Sequence, residues 1–419
     1  MDRRSFLKTT VAAGAVTTLA PSVRIASAQA EPIRVGLMAP LTGVVAAGGR
    51  ECVDGFNLFM EQSGKTVAGR ELDIILEDDG SNPDIALQKA RRLVEQRNVH
   101  FLCGNLIGNT GLAVGEYAKN SGVPYFMPII GVDDMTQRKR IPNVMRIAGA
   151  VTGSQCTRPL ADFALKKGLK KVVTISADYA YGHEQCGGFV QTFSENGGQV
   201  LQQFWHPLNT ADFSPYIIQI QSMNPDIVFA MEAGADATRF MQQWANFGLK
   251  GKIALYAGNN TPDQAVIRTS GPECEGIISA AQFSEGSDIP AAKKFVEEYE
   301  KKYGKLPSAY SLTFYAGAMW LKEGIAAAKG NVEDRKVLVD AMSKVVLRDS
   351  PLGQPVKLDD YGNPILDVYI REVKRRADGK WWNVTIETYK NVSQFWNYNP
   401  EEYLKQPNYS RQFQGIKKS

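Results

Sequence analysis

The chain has 419 residues, 44% hydrophobic and 22% charged, with a formal net charge of +4. That length suggests two or three domains with real cores. Residues 1–28 carry a net +3 of that charge, so the remainder is almost neutral at +1 and gives no reason to expect nucleic acid or an anionic membrane surface as a partner.

The N-terminus reads as a targeting segment. "DRRSFLK" has the twin-arginine shape, "TTVAAGAVTTLA" is a short apolar region and "ASA" is a small-residue cleavage site. We therefore expect a signal peptide over 1–28, cleaved near Ala28 or Ala30, and a periplasmic mature protein. The apolar region is too short to span a bilayer, and no later run is long and apolar enough to do so.

Downstream, "IRVGLMAP", "ELDIILED", "VHFLCG" and "VPYFMPI" read as buried strands. Between them "VDGFNLFMEQSG", "DIALQKARRLVEQRN" and "LAVGEYAKNSG" have helical spacing and end in Gly or Asn. After Ala150 the alternation restarts, from helix "SQCTRPLADFALKKG" and strand "KKVVTISA" through strand "DIVFAME" to strand "KIALYAG". Two such series predict an α/β fold of two doubly wound lobes, each built on a parallel sheet covered on both faces. From Gly276 to Lys344 follow one strand and three helices. Past Trp381 the chain turns rich in aromatics, Asn and Pro, and an ordered strand and wrap is expected rather than disorder. The basic clusters "QRKR" and "KRR" read as solvated loop charge.

Cys52, Cys103, Cys156, Cys186 and Cys274 lack CxxC spacing, which excludes a zinc knuckle or a disulfide scaffold. The histidines are His100, His183 and His206; "HEQCG" lacks the second histidine of HExxH, and no GxSxG elbow occurs. The adjacent pairs Asp78–Asp79, Asp133–Asp134 and Asp359–Asp360 would point to opposite faces of a strand, and read as loop or cap residues. Neither a cofactor motif nor a metal motif is expected. One stretch does suggest a ligand. "CGNLIGNTG" follows a strand and opens a helix, yet it is neither GxGxxG nor a P-loop. It reads either as a glycine-eased turn or as a place where helix-start amides face an anionic group, with Asn109 or Thr110 capping the helix.

"IRVGLMAPLTGVVAAGGRECVDGFNLFMEQ", "DIILEDDGSNPDIALQKARRLV", "FLCGN" and "VVTISADYAYGHEQCGGF", in that order, closely resemble the periplasmic leucine/isoleucine/valine-binding proteins. These are the type I solute-binding receptors of ABC importers, in their hydrophobic amino-acid and aromatic-acid branch. The resemblance runs from Ile33 to Lys374. It implies two Rossmann-like lobes joined by three hinge crossings, near Ala150, Gln282 and Pro351. The expected divisions are 31–150 (lobe 1), 151–281 (lobe 2), 282–350 (lobe 1 again) and 351–419 (lobe 2 return and aromatic extension).

The resemblance also implies a ligand cleft. Its lobe 1 residues would be Ala47, Gly48, Leu106, Ile107, Gly108, Asn109, Ile129, Ile130, Gly131 and, from a long helix, Tyr310. Lobe 2 would add Tyr181, Glu232, Ala233 and Asn259. Against the family pattern, Gly108 and Gly131 replace the hydroxyls that bind an amino-acid carboxylate, Gly48 replaces an aromatic and opens room, and neutral Asn259 stands where an acid would hold the ammonium group. Either Glu232 or Asp236 takes over that role, or the ligand has no α-amino group. The expected protein closes on a hydrophobic amino acid or a small, aromatic or other, carboxylate and delivers it, as a monomer, to an ABC permease in the inner membrane. A sensor subunit for a membrane receptor and an α/β enzyme are the alternatives.

Overall fold

The computed structural model describes residues 31–411 and 414. The signal segment and its cleavage site lie outside the described residues. The apolar runs become strands because each has both faces to bury: β1 (Ile33–Ala39) is buried at six of its seven positions and β4 (Phe101–Gly104) at all four. With β2 (Thr66–Val67), β3 (Arg70–Asp78), β5 (Tyr125–Met127) and β6 (Val144–Arg146) they form one sheet, ordered β2-β3-β1-β4-β5-β6. All neighbours are parallel except β2, which turns back on β3. Helices α1 (Ala46–Ser63), α2 (Pro83–Arg91) and α3 (Gly108–Ser121) are the crossovers.

The chain then builds a second sheet from β7 (Lys171–Ala177), β8 (Gln199–His206), β9 (Ile227–Met231), β10 (Ala254–Ala257) and β11 (Ile278–Ala281). These strands alternate with α4 (Gly153–Lys166), α5 (Ala180–Glu195), α6 (Ser214–Met223), α7 (Gly234–Asn246) and the short α8 (Gln264–Ile267). Next, α9 (Pro290–Tyr303), α10 (Ala309–Ala327) and α11 (Arg335–Ser343) return to the first lobe. There α10 presses on α1 so closely that a Cβ at Gly55 would lie 1.9 Å from the Ser311 carbonyl oxygen. The last strands, β12 (Val346–Leu347), β13 (Val356–Leu358), β14 (Pro364–Arg375) and β15 (Trp381–Val392), rejoin the second sheet. Its order is β12-β13-β14-β11-β10-β9-β7-β8, with β15 on β14.

Two expectations need correction. Both sheets are mixed rather than parallel: β2 turns back on β3 in the first, and in the second β12 to β15 are joined by short turns that only antiparallel neighbours allow. The basic clusters are solvated only in part: Lys139, Arg140, Lys374 and Arg375 are exposed, whereas Arg138 and Arg376 are engaged. Arg138 reaches the C-terminal extension, donating to the carbonyls of Gln406 and Tyr403 and to Asn408, and Arg376 is held by Glu300 and Asp378. The aromatic extension is an ordered wrap. After β15 it forms α12 (Pro400–Leu404), and the Tyr398 and Tyr403 rings lie 4.8 Å and 5.3 Å from the buried Arg158 guanidinium.

The two lobes are closed on each other. Arg268, beside α8, pairs at 2.8 Å with Glu51 on α1 and donates to the Leu306 carbonyl. The Glu184 carboxylate on α5 accepts the Asp133 N–H at 3.0 Å, and the Asp263 carboxylate accepts the Ala309 N–H at 2.9 Å.

Candidate functional site

A cavity of about 320 Å³ lies between the lobes, outside the carboxyl ends of both sheets. Five helices begin at its wall. The residue before the first turn is Val45 for α1, Ile107 for α3, Tyr179 for α5 and Ala233 for α7, and none of the four gives a side-chain cap. An ordinary N-terminus carries Ser, Thr, Asp or Asn there, because the first amides have no partner inside the helix. The fifth helix, α10, is capped conventionally by Ser308. The remaining four leave amide donors and positive dipole ends for whatever occupies the gap.

Apolar side chains make most of the wall: Val44, Leu106, Ile107 and Ile129 from the first lobe, Val151 at the crossing and Leu208 from the second. Tyr179, Tyr181 and Tyr310 add their rings, and burial pushes all three phenols up, so they stay protonated. Tyr181 is positioned twice. Its ring lies where a side chain at position 131 would be, since a Cβ on Gly131 would fall 2.3 Å from the Tyr181 Cε2. Its hydroxyl accepts from the Gln185 amide at 2.8 Å and donates to Asn259 Oδ1 at 3.2 Å. Gln185 also donates to that oxygen, at 3.1 Å, so the orientation of Asn259 is set and its Nδ2 amide is the end left for the cavity.

Buried Arg371 fixes the strand ends behind it, donating to the carbonyls of Asn259 at 2.8 Å and Phe283 at 2.9 Å and to Ser279 at 2.9 Å. Gln282, the residue before Phe283, is 2% exposed and lines the cavity.

Asp236 is the one charged residue on the wall, and it is engaged: Arg239 pairs with it and the Asn209 N–H donates to it at 2.9 Å. Behind it, His206 Nε2 sits 2.9 Å and 3.0 Å from the two Glu232 oxygens. Burial pushes the Glu232 carboxyl up to about 7, against the His206 contact that lowers it. His206 is raised in spite of burial, because Glu232 bonds and attracts its charged form. Among the described residues, His206, Glu232 and Asp236 form the group that lies close enough to hold a metal ion, but each already has a protein partner.

Of the residues expected in a cleft, ten line this cavity: Leu106, Ile107, Gly108, Asn109, Ile129, Gly131, Tyr181, Ala233, Asn259 and Tyr310. Four do not. Ala47 is exposed on α1, two residues past the lining residue Val45. Gly48 lies behind the wall, where Leu106 and Tyr310 fill the room its missing side chain leaves, at 3.1 Å and 3.2 Å from a built Cβ. Ile130 points into the core beneath α3 and Glu232 is taken by His206. "CGNLIGNTG" also divides differently. Gly104, at φ +113, and Gly111, tight against Ile130, serve turn and packing, and only Gly108 reaches the cavity. Asn109 and Thr110 do not cap the helix; the Thr110 hydroxyl donates back to the Ile107 carbonyl at 2.7 Å.

Val44, Val45, Tyr179, Leu208 and Gln282 were not anticipated. Val45 and Tyr179 were legible as residues without a capping side chain standing where a helix following a strand should be capped. For Leu208 and Gln282 the sequence carries no comparable signal.

Comparison with known proteins agrees with this geometry. Residues 32–380 match the periplasmic binding protein family, and residues 1–20 match the twin-arginine translocation pathway signal sequence. A Leu/Ile/Val-binding protein homolog 6 from Brucella melitensis biotype 1 is 29% identical over 385 residues, covering 90% of this chain and 96% of its own. A solute binding protein of an ABC transporter from Rhodopseudomonas palustris BisB5, solved in complex with 3,4-dihydroxy benzoic acid, superposes with a TM-score of 0.81 at 28% identity. It covers 87% of this chain and 98% of that one. A leucine binding protein from Thermotoga maritima MSB8 gives 0.75 at 26% identity, covering 85% and 99%. No helix among the described residues is long and apolar enough to cross a membrane. With its twin-arginine signal, its two α/β lobes and its interlobe cavity, this periplasmic chain belongs to the periplasmic binding protein family.

Proposed function

We propose that the protein is the solute-binding component of an ABC uptake system, and that its solute is a small carboxylate with an apolar, aromatic body and no α-amino group. One observation carries the reading: the cavity offers uncapped helix starts to an anion and no free carboxylate to a cation. The amides of Gly108, Asn109 and Thr110 at the start of α3 hold the acid group, and Asn259 supplies a further donor. An α-ammonium group would be buried without a counter-charge, because Asp236 is already paired with Arg239, and such burial costs several kcal/mol. The rings of Tyr181 and Tyr310 and the side chains of Ile107 and Ile129 take the body. The relative from Rhodopseudomonas palustris BisB5, solved with 3,4-dihydroxy benzoic acid, supports an aromatic acid, while the leucine binding relative represents the amino-acid choice.

Ligand that touches both lobes favours the closed state and so drives closure. The loaded monomer then delivers it to the permease. It binds without turnover: the close acid–base pair His206 and Glu232 stands behind the cavity wall, and neither residue lines it.

Native mass spectrometry of the purified protein, followed by thermal-shift titration with leucine, isoleucine, valine, benzoate and hydroxybenzoates, tests this. The aromatic acids should raise Tm and be recovered unchanged. A rise with leucine and none with the acids would refute it.

A further inference from the structure

The segment that follows β15 is bonded to both lobes. On the second lobe, Tyr398 donates to Glu195 of α5 and Tyr409 donates to Gln203 of β8. The Tyr409 ring also fills the space over Gly187, where a Cβ would fall 2.4 Å from it, and the Tyr403 hydroxyl accepts from Arg158 of α4 at 2.9 Å. On the first lobe the segment meets the loop between β5 and β6. There Arg138 donates to the Gln406 carbonyl at 2.5 Å, to Asn408 Oδ1 at 2.6 Å and to the Tyr403 carbonyl at 3.2 Å. Its guanidinium lies 5.1 Å from the centre of the Tyr403 ring, and Thr136 of the same loop donates to Gln394 at 2.9 Å. The three parts close on a void of about 20 Å³, lined by Asp133 and Arg138 from the first lobe, Arg158 and Glu184 from the second, and Tyr403 and Asn408 from the extension.

Tyr403 is thus gripped from two sides, its hydroxyl by Arg158 and its carbonyl and ring by Arg138. Rotation of one lobe against the other moves these two arginines apart, and a single segment cannot follow both. Arg158 is buried under two tyrosine rings, whereas Arg138 is half-buried, so the Arg138 contacts are the set that water replaces more readily and that opening breaks. The closed state then holds hydrogen bonds that the open state lacks and that include no atom of the solute.

We infer that the C-terminal extension is an interlobe strap: anchored on the second lobe, it latches onto Arg138 as the lobes close and raises the share of closed molecules whatever the solute. The inference stands apart from the carboxylate reading above.

Hydrogen exchange tests it with no solute added. The Ala309 N–H is bonded across the lobes to Asp263 at 2.9 Å, a contact that includes no residue of the extension, so its exchange reports opening. Arg138→Met removes the latch and keeps the anchors. A chain ended after Lys405 removes Gln406 and Asn408 and keeps Tyr398 and Tyr403 on Arg158. In both, Ala309 should exchange about tenfold faster than in the wild type, the scale of one lost charge-assisted hydrogen bond, and small-angle scattering should show a larger radius of gyration. Tyr398→Phe, which loses a bond within the second lobe, should exchange like the wild type. Wild-type exchange at Ala309 in either folded variant overturns the inference, so one variant decides if the other fails to fold. Equal acceleration in Tyr398→Phe also overturns it, since the extension would then serve only the stability of the second lobe. Either failure leaves the solute reading untouched, because no solute enters the measurement.

Discussion

The uncapped start of α3 makes a sharp prediction through a pair of nearly isosteric changes, Ile107→Val and Ile107→Thr. Ile107 already has the extended backbone of an N-cap, φ −84 and ψ 139, and no side-chain cap. Valine and threonine there have the same shape and differ by one hydroxyl, which in threonine can accept from the Asn109 or Thr110 N–H. A cap of this kind is worth about 1 kcal/mol. Relative to the valine variant, the threonine variant should therefore be more stable without ligand, raising Tm by roughly 2 °C in scanning calorimetry. If the same amides hold the solute's carboxylate, the ligand must displace the hydroxyl, and about 1 kcal/mol of binding is lost, about fivefold in Kd by titration calorimetry. Stability and affinity should move in opposite directions. A threonine variant that is stabilised yet binds the acid as tightly as the valine variant would show that the carboxylate is held elsewhere.

Gly131→Ala should fold but bind poorly, with affinity down about tenfold or more by titration. Its Cβ would fall 2.3 Å from the Tyr181 ring, and relieving such an overlap costs about 1–3 kcal/mol. Arg268→Met removes a cross-lobe pair while Glu51 keeps Lys305 at 2.9 Å and Tyr299 at 2.7 Å, so the lobes stay intact and closure weakens. Small-angle scattering without ligand should show a more open average shape, and apparent affinity should fall by up to about tenfold. The Glu232 carboxyl and His206 are both raised in the folded protein, so folding retains protons that the unfolded chain releases. Stability from this pair is complete below about pH 4.5 and is lost as pH rises through about 7. Glu232→Gln, which cannot release that proton, should lose less Tm than the wild type between pH 5 and 8; parallel Tm–pH curves would contradict the assignment.

Much of the fold was legible because its central strands are buried on both faces. "IRVGLMAP" and "DIVFAME" could only be interior strands, and the helical stretches between them had the spacing and the Gly or Asn endings of surface crossovers. The antiparallel return was not legible, since the run from Val356 to Val392 has the same β-branched and aromatic content whichever neighbour it pairs with. The site was legible where it follows from local geometry. Ile107, Gly108 and Ala233 sit where a strand end meets a helix start, which topology alone brings to the cleft.

Glu232 shows the limit of such reading. At a strand end it looks like a ligand contact, but His206, twenty-six positions away, turns it inward. Gln282 shows the converse, an ordinary residue in "SAAQF" that tertiary packing brings to the cavity wall. What the sequence by itself determined, then, is export, the two-lobed alternation and the places where helices begin at the gap, because these depend on neighbours along the chain. Which of those residues face the solute was decided only in three dimensions, because a polar side chain's availability depends on whether a distant group has already satisfied it.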